Sequence, residues 1–104
     1  MISLEDCIAL CGLTEQEVRA LAEHEQIADI LAAALAQCLL GQTDGCRKIG
    51  AMIADDVNWA ILRGDRHHAD ELLTTLEHFV SAHPDAMASK RAQACLKGRA
   101  NSAG

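Results

Sequence analysis

Residues 13–40 read LTEQEVRALAEHEQIADILAAALAQCLL, and where this stretch is cut decides the fold. Its opening is the best-specified feature of the chain. Thr14 and Glu17 have the Thr-x-x-Glu spacing of a capping box, in which two side chains satisfy each other's orphaned backbone N–H groups. Leu13 and Val18 flank the box as a hydrophobic staple would. Glu15 and Glu17 bring negative charge to the positive end of the helix dipole. The helix that starts here cannot run unbroken to residue 40. Val18 and Ala22 would then fall well off the line of Ala28, Leu31 and Leu35, leaving no single apolar face. A break near residues 23–26 removes the conflict and predicts two helices, about 14–25 and 27–40.

Working outward, Ser3 is a good N-cap for a short first helix, with Leu4, Cys7, Ile8 and Cys11 at helical spacing and Gly12 as its stop. On the other side, Gly41 ends one helix and Thr43 or Asp44 caps the next. Gly41 and Gly45 read as turn signals only. Cys46, Ile49, Ile53, Val57 and Ala60 follow close to a 3.6-residue period. Gly64 closes that helix and Asp65 caps another, whose broad apolar face is Ala69, Leu72, Leu73, Leu76, Phe79 and Val80. Pro84 ends it, because the residue before proline avoids helical geometry. Residues 85–97 predict a weak last helix around Met87, Ala88, Cys95 and Leu96, followed by a frayed end. The fold class read from this pattern is all-α: a single compact helical bundle of five helices plus a weak C-terminal sixth. The bundle domain is placed at residues 1–84 and a weakly helical basic tail at 85–104.

Composition agrees. The 104 residues are 50% hydrophobic but only 2% aromatic, and alanine and leucine supply most of the apolar content. Those two are strong helix formers, whereas sheets favour β-branched and aromatic residues. Ile27 to Leu40 is the longest apolar run, and Asp29 and Gln37 interrupt it. A membrane span needs about 20 mostly apolar residues, so no membrane role is expected. No basic, apolar leader is visible, and five cysteines is an odd number. Reduced thiols and a cytoplasmic location are expected. Residues 1–85 hold all 15 acids and five of the nine bases, while residues 86–104 hold four bases and no acid. An acidic body gains nothing from counterion release on nucleic acid. The basic end could fold back on the acidic body or touch an anionic partner, and is read first as solvated.

Several residues invite a chemical reading. His67, Glu71, Thr74 and His78 share one face of the Asp65-capped helix, but His67 and His78 are ~16 Å apart along it, too far for one ion. His67 and Glu71 could chelate as an i, i+4 pair, yet zinc usually takes three or four ligands. With His24 and His68, these are the metal candidates, and the reading against them is a solvated polar face. His24-Glu25 begins an HExxH-like string whose second histidine is missing, so the zinc-protease motif fails. His24 reads instead as a residue near a helix C-terminus, bonding free carbonyls. Cys7, Cys11, Cys38, Cys46 and Cys95 form no CxxC pair, and Cys38 and Cys46 fit apolar stripes. Asp55 and Asp56 are adjacent and diverge by about 100°, so they do not make an acid–base pair. No phosphate loop, nucleophile elbow or dinucleotide fingerprint is present. No catalytic residue and no cofactor are assigned.

The first two helices are loosely helix-turn-helix-like, but the second would offer Glu15, Gln16, Arg19 and Glu23 where a DNA reader needs Arg and Lys. What remains is surface hydrophobicity. Met52 and Trp59 lie about 100–120° off the core stripe of their helix, and Leu62 lies on its far side. Either that helix is central, or these three residues are an interface. The functional expectation is a non-enzymatic helical interaction module or small regulatory protein with a protein partner or itself as a homodimer. The alternatives are a metal- or cofactor-binding helical protein and a helix-turn-helix-like DNA regulator.

Two stretches also carry a resemblance. LTEQEV at 13–18 with AEHE at 22–25, and DDV at 55–57 through RGDRHHA at 63–69 to HFVSAHP at 78–84, are similar to a set of small proteobacterial all-helical proteins with no established activity. The resemblance covers most of residues 1–84. It implies a bacterial cytosol and carries over no functional residue.

Overall fold

The structure, a computed structural model, describes residues 12–103, with side chains through residue 98. Five α-helices and one 3-10 turn follow one another: α1 (Glu15–Glu25), α2 (Asp29–Leu40), α3 (Gly45–Leu62), α4 (Arg66–Ala82), the turn Pro84–Ala88, and α5 (Lys90–Ala103). There is no strand among the described residues. The all-α bundle expected from the sequence is what forms. The helix predicted over residues 3–11 lies outside the described residues, as do Cys7 and Cys11.

α1 opens as its sequence dictates. Thr14 N–H donates to Glu17 Oε1 at 2.9 Å, and Glu17 N–H donates to Thr14 Oγ1 at 3.2 Å. Leu13 and Val18 are both buried, so the staple closes over the box. The predicted break is present. Gln26 adopts the left-handed conformation (φ 56°, ψ 48°), and the N–H groups of Gln26 and Ile27 cap the carbonyls of Glu23 and Ala22. This termination usually falls to glycine.

α3 is the axis of the molecule and packs against every other element. Ile49, Ile53, Val57 and Ala60 are buried as the stripe predicts, while Cys46 is half-buried. Phe79, Leu76 and Leu72 of α4 meet them, with Val18 and Leu21 of α1. Buried alanines from every helix, Ala22, Ala33, Ala54, Ala69 and Ala92 among them, let the axes approach closely. Asp44 stands at the N-cap of α3 but makes no capping bond, and its carboxylate takes Arg47 at 3.4 Å. Asp65 does cap α4, accepting from His68 N–H at 3.1 Å.

Two sequence expectations need correction. Gly45 is more than a turn signal: a Cβ there would sit 1.6 Å from the Leu39 carbonyl oxygen, so only glycine lets α2 and α3 meet this closely. The C-terminal stretch is not simply solvated. Ala86 and Ala92 are fully buried, and Gly50 makes room for Ala86, whose Cβ would lie 3.2 Å from an added Cβ. The last helix starts at Lys90 and not in the turn before it. Ser89 caps it, its hydroxyl accepting from Ala92 N–H at 3.3 Å.

Candidate functional site

The last turn of α1 lies against the middle of α3 and the start of α4, and ionisable side chains collect there. His24 is in that last turn, as the sequence places it. Its ring does not serve the free carbonyls. Nε2 lies 3.1 Å from Asp55 Oδ2 of α3, and Nδ1 lies 3.0 Å from Glu25 Oε2. Asp55 also takes two bonds from Arg91 Nη1 of α5, at 2.8 and 3.0 Å. A Glu25–His24–Asp55–Arg91 chain therefore ties α1, α3 and α5 together, and one of the four bases of the basic end is engaged in it. The Trp59 ring stacks on His24, centroids 5.4 Å apart and planes 15° from parallel.

Asp56, the next residue, points the other way. It is fully buried, and neither of its carboxyl oxygens has a hydrogen-bond partner. Beside it stands Glu23, whose Oε1 lies 2.5 Å from His68 Nε2 of α4, and whose Oε2 is buried without a partner. An unpaired charge here would cost several kcal/mol, so the group resists ionising. Burial first, then the negative charges of Glu23 and Asp55, push the Asp56 carboxyl up to about 7, against the opposing pull of His24 and His68. His68 is raised as well, chiefly by its bond to Glu23. This junction binds a proton near neutral pH. Elsewhere on α3 and α5, burial pushes the Cys46 and Cys95 thiols up, with Asp85 and Asp55 adding to it, which is the opposite of thiolate activation.

The sequence-derived candidates fall into separate places. Among the metal candidates, His24 and His68 face different sides of α3's carboxylates, and the side chain of His67 is 90% exposed with only Glu71 beside it at 3.6 Å. Glu71 also lies 3.7 Å from His68 Nδ1. Among the described residues no group of three or more His, Cys, Asp or Glu side chains is arranged to hold a metal ion. Of the four residues proposed for a DNA-reading face, Glu23 turns into the α1–α4 seam, and Arg19 is held by Glu15 at 2.6 Å. Cys38 is exposed and not part of an apolar stripe. Of the three interface candidates, Met52 is packed against the core on the wall of a groove shared with His24, Leu35 and Leu39. Trp59 and Leu62 remain in solvent, 44% and 82% exposed.

The divergence of Asp55 and Asp56 was legible in their adjacency; the burial of Asp56 was missed. The signal was its register, seven residues after Ile49 and four before Ala60, on the core side of a helix. The Glu23–His68 and His24–Trp59 contacts join residues far apart in sequence, and no local pattern marks them. Among the described residues no helix is long and apolar enough to cross a membrane. No protein-family model matches the chain, and neither a curated protein nor a solved structure does.

Proposed function

We propose that the chain is a non-enzymatic helical interaction module, a small regulatory or accessory protein of a bacterial cytosol that pairs with itself through the end of α3. One observation carries this reading. α3 is enclosed along most of its length, yet its last turn leaves Trp59, Ile61 and Leu62 at 44%, 54% and 82% exposure. Three large apolar side chains at the end of a central helix cost solubility unless something covers them. Trp59 is also pre-oriented by its stack on His24, so little rotamer freedom is lost when it is buried against a partner. Tryptophan is the residue most enriched at binding hot spots, and a two-fold homodimer is the commonest closed assembly. The direction of the thiol shifts supports a role without covalent chemistry.

The test is native mass spectrometry of gently purified protein and of Leu62→Glu, whose side chain touches too little of the core to threaten folding. The wild type should give a dimer and the variant a monomer with unchanged helical circular dichroism. A dimer that survives both Leu62→Glu and Trp59→Ala would remove the end of α3 as the interface. Bound metal or small-molecule mass would turn the reading towards the metal-binding alternative.

A further inference from the structure

We propose that Asp56 is a proton-operated latch: uncharged, it lets the C-terminal half of α1 seat on α3 and α4, and ionised, it drives that half of α1 off. The proposal stands whatever the partner of the α3 surface is.

The geometry carries it. Asp56 is enclosed on the central helix with two oxygens and no donor for either. Across from it, α1 presents Glu23, one of whose oxygens is in the same predicament. The other groups facing Asp56 are His24 of α1, Asp55 on its own helix, and His68 of α4. Arg91 of α5 is already engaged by both oxygens of Asp55. The fully buried residues of α2 are alanines, Ala32, Ala33 and Ala36, with Leu35, Leu39 and Leu40 packed beside them. A proton on Asp56 removes one of two facing charges. Without it, a buried carboxylate faces a half-buried one across the α1–α3 contact, and the one donor beside them, His68, is bonded to Glu23.

α1 is the element that yields. It is an 11-residue helix, and a left-handed Gln26 separates it from α2. Its last turn is tied down by polar contacts, Glu23–His68 and His24–Asp55, on the very groups that the charge disturbs. α3 and α4, by contrast, are joined through Ile53, Val57, Leu72, Leu76 and Phe79, which do not titrate.

The size of the effect follows from linkage. An acid that titrates near 7 when shut, and at its ordinary 3.8 when open, favours opening about thirtyfold more at pH 8.5 than at pH 5.5. The experiment is amide hydrogen exchange of the full chain at those two pH values, normalised for the intrinsic exchange rate. Protection of residues 21–25 should fall roughly tenfold to thirtyfold from the lower pH to the higher, while residues 72–79 keep theirs. Asp56→Asn, which cannot ionise, should lose much less, keeping only the smaller fall that deprotonation of His68 beside Glu23 imposes. Equal protection of α1 at both pH values in the wild type overturns the latch. So does the same loss in Asp56→Asn, because both histidines remain there and the loss would be theirs. If Asp56→Asn fails to fold, Glu23→Gln decides: it removes the opposing charge and should retain most of the protection at pH 8.5, and a loss as large as the wild type's would refute the proposal.

Discussion

Replacing Gly45 by alanine tests the tightest glycine contact among the described residues. An ideal Cβ on Gly45 lies 1.6 Å from the Leu39 carbonyl oxygen and 2.5 Å from its carbon, where real contacts do not fall below 3.0 Å. The two backbones must therefore part by about 1.4 Å. The Leu39 oxygen also accepts from Gln42 N–H at 2.9 Å within the same turn. Separation must stretch that bond or swing the first turn of α3 away from α2. A lost hydrogen bond costs about 1 kcal/mol net, and overpacking typically about 1–3 kcal/mol. Alanine's better helix propensity returns up to about 1 kcal/mol. The net expectation is a destabilisation of about 1–3 kcal/mol, a fall in Tm of roughly 5–15 °C for a domain this size. Urea unfolding followed by far-UV circular dichroism measures it. Gly50→Ala is the control. It is also helical, and the nearest atom to its Cβ would be the Ala86 Cβ, at 3.2 Å, with the Ala86 oxygen at an ordinary 3.5 Å, so it should stay within about 1 kcal/mol of wild type. Gly50 gains the full interior propensity and Gly45, the first residue of α3, gains less, and the two differ above all in what they strike. If Gly45→Ala is as stable as wild type or more so, propensity alone decides and the close approach is not real.

Three further outcomes are expected. Phe79→Ala empties the largest fully buried side chain and should cost about 3–5 kcal/mol in chemical denaturation, a large share of the ~5–15 kcal/mol that holds a domain together; a loss below ~1 kcal/mol would mean that the core is not centred there. Gly64→Ala meets nothing within 4 Å but forces a side chain onto φ +80°, so a loss of about 1–2 kcal/mol by thermal melting would be pure backbone strain, and an unchanged Tm would contradict that conformation. His68→Gln removes a group whose folded pKa is raised above 6.5 by Glu23. Its contribution is complete below the unfolded value and disappears as pH rises through the folded one, so the stability gap to wild type should be wider at about pH 5.5 than at about pH 8.5; a gap that is constant, or that widens with pH, would exclude the Glu23 pairing as its source.

The helices were legible because their signals are local. The capping box, the staple and the drift of the apolar stripe past residue 22 each act over a few residues, and all three fixed α1 and its end. The seating of residues 86–95 was half legible: charge allowed the basic end to fold back on the acidic body, as Arg91 does on Asp55, but no local pattern marked Ala86 meeting Gly50. Of the site, the exposure of Trp59 and Leu62 was readable as angle around one helix. Asp56 was not, because an acid on a core-side register is ordinarily a misplaced expectation. Glu23 was assigned to solvent on the same instinct, and it is the partner across the seam, His68, that turns it inward.

The central place of α3 also has a consequence in time. A ribosome completes α1 and α2 before the helix that both of them pack on exists. Between Leu40 and Leu62 lie 22 residues, about 1–4 s of synthesis at ordinary rates, whereas a helix forms in about a microsecond. For that interval α2, with Asp29 and Gln37 as its only polar side chains, waits with its core face uncovered. Docking of α1 and α2 must therefore follow the making of α3, and translational pausing between residues 41 and 62 would lengthen the wait.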